Sequence, residues 1–202
     1  KRSFFVSIAP IFTGILAHFF LEGEKMKKSI VLGFVCAMAG ICLITFQKGE
    51  TVELNPLGDF LGVAAAAIWG VYSICSRKIA GFGYDTIITT RRTFFYGILF
   101  MLCALPFMDF HLSLSALLKP VNLGNIIYLG VGASAICFVT WNYAVKSLGA
   151  TRASVYIYGI PVVTILMSIP LLHEVITFQA MAGTVLTLVG LLISEWPFSP
   201  KK

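Results

Sequence analysis

Charge is what this chain has least of. Asp, Glu, Lys and Arg together make up 12% of its 202 residues, about half of what a soluble domain carries. Only nine residues are acidic and three are histidine. No Ser-His-Asp arrangement, metal-ligand cluster, phosphate-binding loop or dinucleotide fingerprint is present, so an intramembrane enzyme is a weak expectation, and no cofactor or metal is expected. The five cysteines (Cys36, Cys42, Cys75, Cys103, Cys137) all fall in apolar runs and form no CxxC pair or zinc spacing; they read as small buried hydrophobes. No small-residue cleavage site follows the first apolar run, so a cleavable signal peptide is not expected. The connections between runs are short, which leaves no length for an extramembrane catalytic domain.

Apolar sequence is what the chain has in excess. Hydrophobic residues account for 58% of it, and its mean hydropathy is +0.90. Runs of about twenty apolar residues recur along its length, each long enough to cross a ~30 Å hydrocarbon core as a helix. Lipid cannot hydrogen-bond a backbone, so such runs must satisfy their own amides. The period-two alternation of a barrel is missing. The expected fold is therefore an all-α, polytopic helical bundle with spans at about 4–21, 29–46, 58–77, 88–108, 123–145, 153–172 and 177–196. Gly81-Phe82-Gly83 and Asn55-Pro56 are among the turn signals between them.

The cations are unevenly shared between alternate ends of these spans. One set carries Lys25, Lys27, Lys28, Arg77, Lys78, Arg91, Arg92, Lys146, Arg152, Lys201 and Lys202; the other carries Lys1, Arg2, Lys48 and Lys119. The richer set is expected on the cytoplasmic side of an inner or plasma membrane, together with the C-terminus. The net charge of +6 then faces anionic lipid headgroups. Spread over loops as it is, this charge does not suggest nucleic-acid binding.

The first two spans resemble the last two. Ser3, Pro10 and Thr13 match Ser154, Pro161 and Thr164 at an offset of 151; Glu24, Gly33, Val35 and Gly40 match Glu174, Gly183, Val185 and Gly190 at an offset of 150. The copies lie five spans apart, an odd number, so they cross the membrane in opposite directions. Inverted repeats are a device of secondary transporters: two similar units in opposite orientation exchange conformations and turn an outward-open cavity into an inward-open one. Duplication for folding convenience alone is the alternative. The second copy has five spans and the first shows two. The expected organisation is thus 1–48 as the last two spans of a first repeat, 49–57 as an outer linker and 58–198 as a complete second repeat. On this reading three spans, about ninety to a hundred residues by the length of the second copy, should precede Lys1.

Several stretches resemble the drug/metabolite transporter superfamily in its ten-span EamA-type branch. They are Gly58-Asp59 leading to Trp69-Gly70-Val71-Tyr72 and Arg77-Lys78; Thr140-Trp141-Asn142-Tyr143-Ala144 through Lys146, then Leu148-Gly149-Ala150-Thr151-Arg152-Ala153-Ser154; and Pro161 to Glu174 with Gly183 to Gly190. The resemblance covers the whole chain. It implies both termini cytoplasmic, and a cavity faced by the first, third, fifth and sixth spans of this chain. It says little of the substrate, since such proteins move amino acids, sugars, nucleotide derivatives and drugs.

Individual residues carry two readings each. Pro10 and Pro161, at corresponding positions inside spans, mark a hinge or cavity, or else a tolerated kink; Pro170 has no counterpart and reads as structural. Trp69, with Tyr72 and Ser73, lies too deep for an interfacial belt and either lines a cavity or packs helices. Trp141 and Asn142 lie near a cytoplasmic end, where Asn142 contacts solute or bonds a neighbouring helix. Tyr156 and Tyr158, one turn before Pro161, offer stacking and hydroxyl contacts. His18 couples protons or packs. Glu24 and Glu174 end their spans and read as loop anchors or gate partners, Asp59 as a helix cap, and Arg91 and Arg92 as side chains snorkelling to the surface. Gly33, Gly40, Gly183 and Gly190 allow close helix approach. The function expected is a secondary carrier of a small organic metabolite, such as an amino acid or related compound. The partners are that solute and membrane lipid, with the missing spans or a homodimer completing the cavity. A non-transporting membrane receptor or assembly partner is the rival.

Overall fold

A computed structural model describes residues 2–24, 26–45, 55–107, 113–172 and 177–196. They are helical throughout apart from short connections. In chain order the helices are α1 (Arg2–Phe20), α2 (Lys28–Thr45), α3 (Pro56–Gly81), α4 (Thr86–Ala104), a short α5 (Leu114–Leu117), α6 (Pro120–Ile127), α7 (Cys137–Leu148), α8 (Ala150–Val155), α9 (Ile160–Leu172) and α10 (Phe178–Glu195). Among the described residues, six helical stretches are long and apolar enough to cross a membrane: Lys28–Thr45, Pro56–Gly81, Thr86–Phe107, Pro120–Leu148, Ala150–Met167 and Phe178–Glu195. The apolar part of α1, Ile8–Phe20, is shorter. The protein is an all-α integral membrane protein, and exposed Leu, Ile, Val and Phe along α3, α4 and α6 are the surface such a protein shows to lipid.

Two of the stretches are not uniform helices. Between α6 and α7 the backbone widens into a π-helical segment, Tyr128–Ile136, in which the Cys137 amide donates to the Gly132 carbonyl five residues back. Between α8 and α9 it tightens into a 3₁₀ turn, Tyr156–Gly159, in which the Ile160 amide donates to Ile157 three residues back. Pro161 follows this turn closely. It has no N–H to give the Ile157 carbonyl.

The helix starts correct one expectation. Asp59 lies in the first turn of α3 and is not its cap. The cap is Asn55, whose side-chain oxygen accepts from the Gly58 amide at 3.1 Å, with Pro56 at the first helical position, where its missing N–H costs nothing. At α4 the cap is Asp85, accepting from the amides of Ile87 and Ile88 at 2.9 and 3.0 Å.

Packing divides the chain into two compact units, Lys1–Cys75 with Leu148–Lys202, and Ser76–Ser147. In the first, α2 and α10 cross at their glycines. A Cβ on Gly183 would lie 2.6 Å from the Gly40 carbonyl oxygen, and one on Gly190 would lie 2.6 Å from that of Gly33. No side chain fits there. As the residue number rises along α2 it falls along α10, so the two helices run antiparallel. Moreover, a shift of 150 residues converts the contact Gly33–Gly190 into the contact Gly183–Gly40. The pair is therefore self-complementary in the manner of a two-fold interface. Its centre falls where the Cys36 thiol donates to the carbonyl of Leu186, its own repeat equivalent, at 3.6 Å. Thr187 and Ser194 turn their hydroxyls back to the carbonyls of Gly183 and Gly190, which satisfies them within α10.

The second unit is held by polar contacts among apolar helices. Asn142 on α7 donates to the Thr90 hydroxyl on α4 at 2.9 Å, both residues buried. Arg77, near the end of α3, donates to the Val145 and Lys146 carbonyls at 3.3 and 2.6 Å. A cation at the α7 C-terminus suits both the free carbonyls and the helix dipole. Phe94 and Phe138 meet edge to face at 5.2 Å.

Candidate functional site

In the first unit, α1, α2 and the α8 segment enclose a cavity of about 40 Å³, lined by Pro10, Ile11, Gly14, Met26, Ile30, Val31, Phe34, Thr151, Val155 and Tyr158. Each wall has a sequence reason. Pro10 is buried within α1, which stays α-helical on both sides of it. Gly14 removes a side chain one turn later. The third wall is Tyr158, placed by the 3₁₀ turn that precedes Pro161. The tyrosine is 1% exposed and packs with Val155, Ala37 and Ile41; its ring lies 6.0 Å from that of Phe34. Its hydroxyl is buried and has no hydrogen-bond partner among the described residues. Such a group costs about 1–3 kcal/mol if nothing bonds it.

One end of this arrangement is pinned by Glu24. Its carboxylate accepts from the amides of Ala150 and Thr151 at 3.2 and 3.0 Å and from the Thr151 hydroxyl at 3.2 Å. Helix α8 needs this because its preceding residue, Gly149, offers no side chain to its free amides. Gly149 adopts φ +93, and a Cβ there would lie 2.6 Å from the Glu24 carboxylate, so glycine is required twice over. The connection between α1 and α2 thus caps a helix far along the chain.

The remaining candidates are dispersed. Trp69 and Tyr72 meet at a tilt on α3 with centroids 5.6 Å apart, and Ser73, fully buried, bonds back to the Trp69 carbonyl at 2.9 Å. The same stretch of α3 touches α1: a Cβ on Gly70 would lie 3.1 Å from the Thr13 backbone nitrogen. These three therefore share the first unit with Pro10 but do not line the cavity. Trp141 and Asn142 belong to the second unit, and Asn142 is engaged with Thr90. Tyr156 is half exposed, His18 is exposed against the edge of Phe19, and Pro161 is partly buried. Glu174 lies outside the described residues. Sequence reasoning did not single out Gly14, Met26, Phe34 or Thr151 as cavity-lining residues. Among the described residues no three His, Cys, Asp or Glu side chains come together.

The profile of the EamA-like transporter family matches residues 1–46 and 56–196. The chain belongs to this family. The EamA-like chain is 31% identical over 189 residues to an uncharacterized transporter of Archaeoglobus fulgidus, covering 93% of this chain and 64% of that protein. It is 27% identical over 194 residues to the uncharacterized transporter YyaM of Bacillus subtilis (94% and 62%). To a protein of Streptantibioticus cattleyicolor named probable terminal-alkyne amino-acid exporter it is 28% identical over 191 residues (95% and 62%). The chain thus spans less than two thirds of the length of these relatives. A crystal structure at 21% identity superposes with a TM-score of 0.74 over 96% of this chain and 65% of that one, a likeness of fold.

Proposed function

We propose that the protein is a secondary carrier that moves a small organic metabolite across the cell membrane by alternating access. The observation that carries this reading is the antiparallel α2–α10 contact, whose glycines exchange places under the 150-residue repeat. Units related in this way have equivalent conformations available to them on opposite sides of the membrane, which is what alternating access requires. On this reading residues 1–48 and 58–198 belong to two inverted copies joined by 49–57, and the C-terminus is cytoplasmic, as the Lys and Arg asymmetry favours. An amino acid or related compound is the preferred solute class; the relative named as an amino-acid exporter supports it.

The test is uptake by proteoliposomes containing the full-length protein, with a panel of radiolabelled amino acids, sugars and nucleosides. Saturable uptake of at least one solute, absent from empty vesicles, is expected. No flux or exchange across the panel contradicts the proposal.

A further inference from the structure

We propose that the outer face of α4, in the second unit, holds the headgroup of an anionic glycerophospholipid, with Arg91 and Arg92 as the side chains that grip its phosphate. Such a site is independent of whether the protein transports.

Helix α4 carries two charges, Arg91 and Arg92, in an otherwise uncharged sequence. Its inner face is marked at every fourth residue: Thr86 is buried, Thr90 bonds Asn142 and Phe94 meets Phe138. A helix advances roughly 100° per residue, so Arg92, midway between Thr90 and Phe94, lies on the opposite side. Arg91 lies beside it, and both are exposed. Their neighbours on that side, Ile88, Phe95, Tyr96 and Leu99, are exposed too. Two guanidiniums thus stand in a surface otherwise made for lipid.

Their depth suits a headgroup. By the helical rise the two arginines sit roughly 8–9 Å inside the start of α4. That start has the chemistry of a membrane surface. The Tyr84 carbonyl, just before the Asp85 cap, accepts from the Lys146 ammonium at 3.3 Å, and the exposed rings of Phe82 and Tyr84 pair at 6.3 Å, as aromatic residues do at the interface. Helical side chains lean toward the N-terminus, so both arginines extend toward this level. A charge left among acyl chains would be costly. A phosphate removes that cost, and the guanidinium fork engages two of its oxygens at once.

The charge balance calls for an anion from outside. Arg77, Lys78, Arg91, Arg92 and Lys146 belong to this unit, and Asp85 is the one acid among its described residues. The Asp85 carboxylate already accepts from the amides of Ile87 and Ile88. A lipid fits better than a free phosphate ion, because the apolar flank beside the arginines receives its acyl chains. A soluble acidic protein would leave that flank bare.

The experiment titrates phosphatidylglycerol, and separately zwitterionic phosphatidylcholine, onto the full-length protein in detergent and counts bound lipid by native mass spectrometry. Tighter binding of phosphatidylglycerol is expected. Arg92→Gln should weaken it roughly fivefold, the worth of one basic residue at a headgroup, and Arg91→Gln with Arg92→Gln roughly twenty- to thirtyfold. Replacing both by lysine, which keeps the charge but not the fork, should fall between wild type and the glutamine pair. Lys27→Gln with Lys28→Gln removes the same charge from exposed positions of the first unit and should stay within about twofold of wild type. Equal losses in the lysine and arginine pairs would mean diffuse surface charge and overturn the site, as would no preference for phosphatidylglycerol or wild-type affinity in the arginine variants. Displacement of phosphatidylglycerol by millimolar inorganic phosphate would reveal a simple anion site and overturn the lipid assignment. Should the glutamine pair fail to fold, Arg92→Gln alone decides by the same readout.

Discussion

Helices α2 and α10 meet through glycines that exchange places under the repeat, whereas α1 and the helix through Pro161, related by the same repeat, differ in backbone. Residues 156–159 form a 3₁₀ turn before Pro161. Their counterparts at an offset of 151, residues 5–8, are α-helical before Pro10. One pair is symmetric and sterically locked. The other carries the same proline in two conformations. In a protein built of inverted copies, identical conformations in both would favour neither side of the membrane, so a difference between copies is what marks a state open to one side. On the carrier reading proposed above, the locked pair is the frame and the proline pair is the switch.

The largest effects should fall on the frame. Gly40→Leu or Gly190→Leu drives a side chain into the backbone of the partner helix and should cost about 3 kcal/mol or more, read as lost thermal stability in detergent. The milder Gly33→Ala and Gly183→Ala, which are repeat equivalents, should both destabilise, because each added Cβ meets a carbonyl oxygen of the partner helix. A loss at one glycine and none at the other would break the symmetry of the crossing.

The switch should respond unequally. Pro161→Ala restores an amide to the Ile157 carbonyl and lets Tyr156–Gly159 wind into α-helix. It should cut flux roughly tenfold, a typical conformational coupling, while sparing membrane insertion. Pro10→Ala should change the backbone of this state less, because α1 is already α-helical there. The two variants should therefore shift the equilibrium between states in opposite directions, as measured by accessibility of engineered cysteines on either side.

Glu24→Ala removes the cap of α8 and should cost about 1–2 kcal/mol. Glu24→Gln keeps one acceptor oxygen and should recover part of that in the same melting assay. The smallest effect expected is from Gly97→Ala on α4, where an added Cβ meets nothing within 4 Å; it should stabilise by about 0.5–1 kcal/mol. Glycines in open helix and glycines in the crossing thus give opposite signs in one assay.

Much of the fold was legible because lipid imposes a simple rule. A span must be apolar and helical, so length and hydrophobicity located the helices to within a few residues. The glycine spacing on α2 and α10 was legible because close approach admits only small residues. What escaped depends on contacts distant in sequence. Glu24 caps a helix about 126 residues away; the only local sign was Gly149-Ala150-Thr151, a helix start with no side chain of its own to cap it. Arg77 reads as a membrane-surface cation by composition, yet it binds the end of α7. Asn142 could face solute or helix on sequence grounds, and only the proximity of Thr90 shows the second. The π-helical stretch at Tyr128–Ile136 leaves no residue signature beyond Gly130 and Gly132. Tyr158 was legible as an aromatic beside Pro161, but its burial depends on three helices meeting.

The most direct test of a fixed frame and a moving switch is a pair of distance measurements by spin-label spectroscopy on the full-length protein in lipid. One pair of labels reports α2 against α10, at Val35 and Val189; the other reports α1 against the Pro161 helix, at Ile15 and Val163, all four positions being exposed. With and without a transported solute, the first distance should stay single and unchanged, and the second should redistribute between two populations. A second distance that remains single and fixed while solute flux is measured, or a first distance that moves with it, would contradict the account.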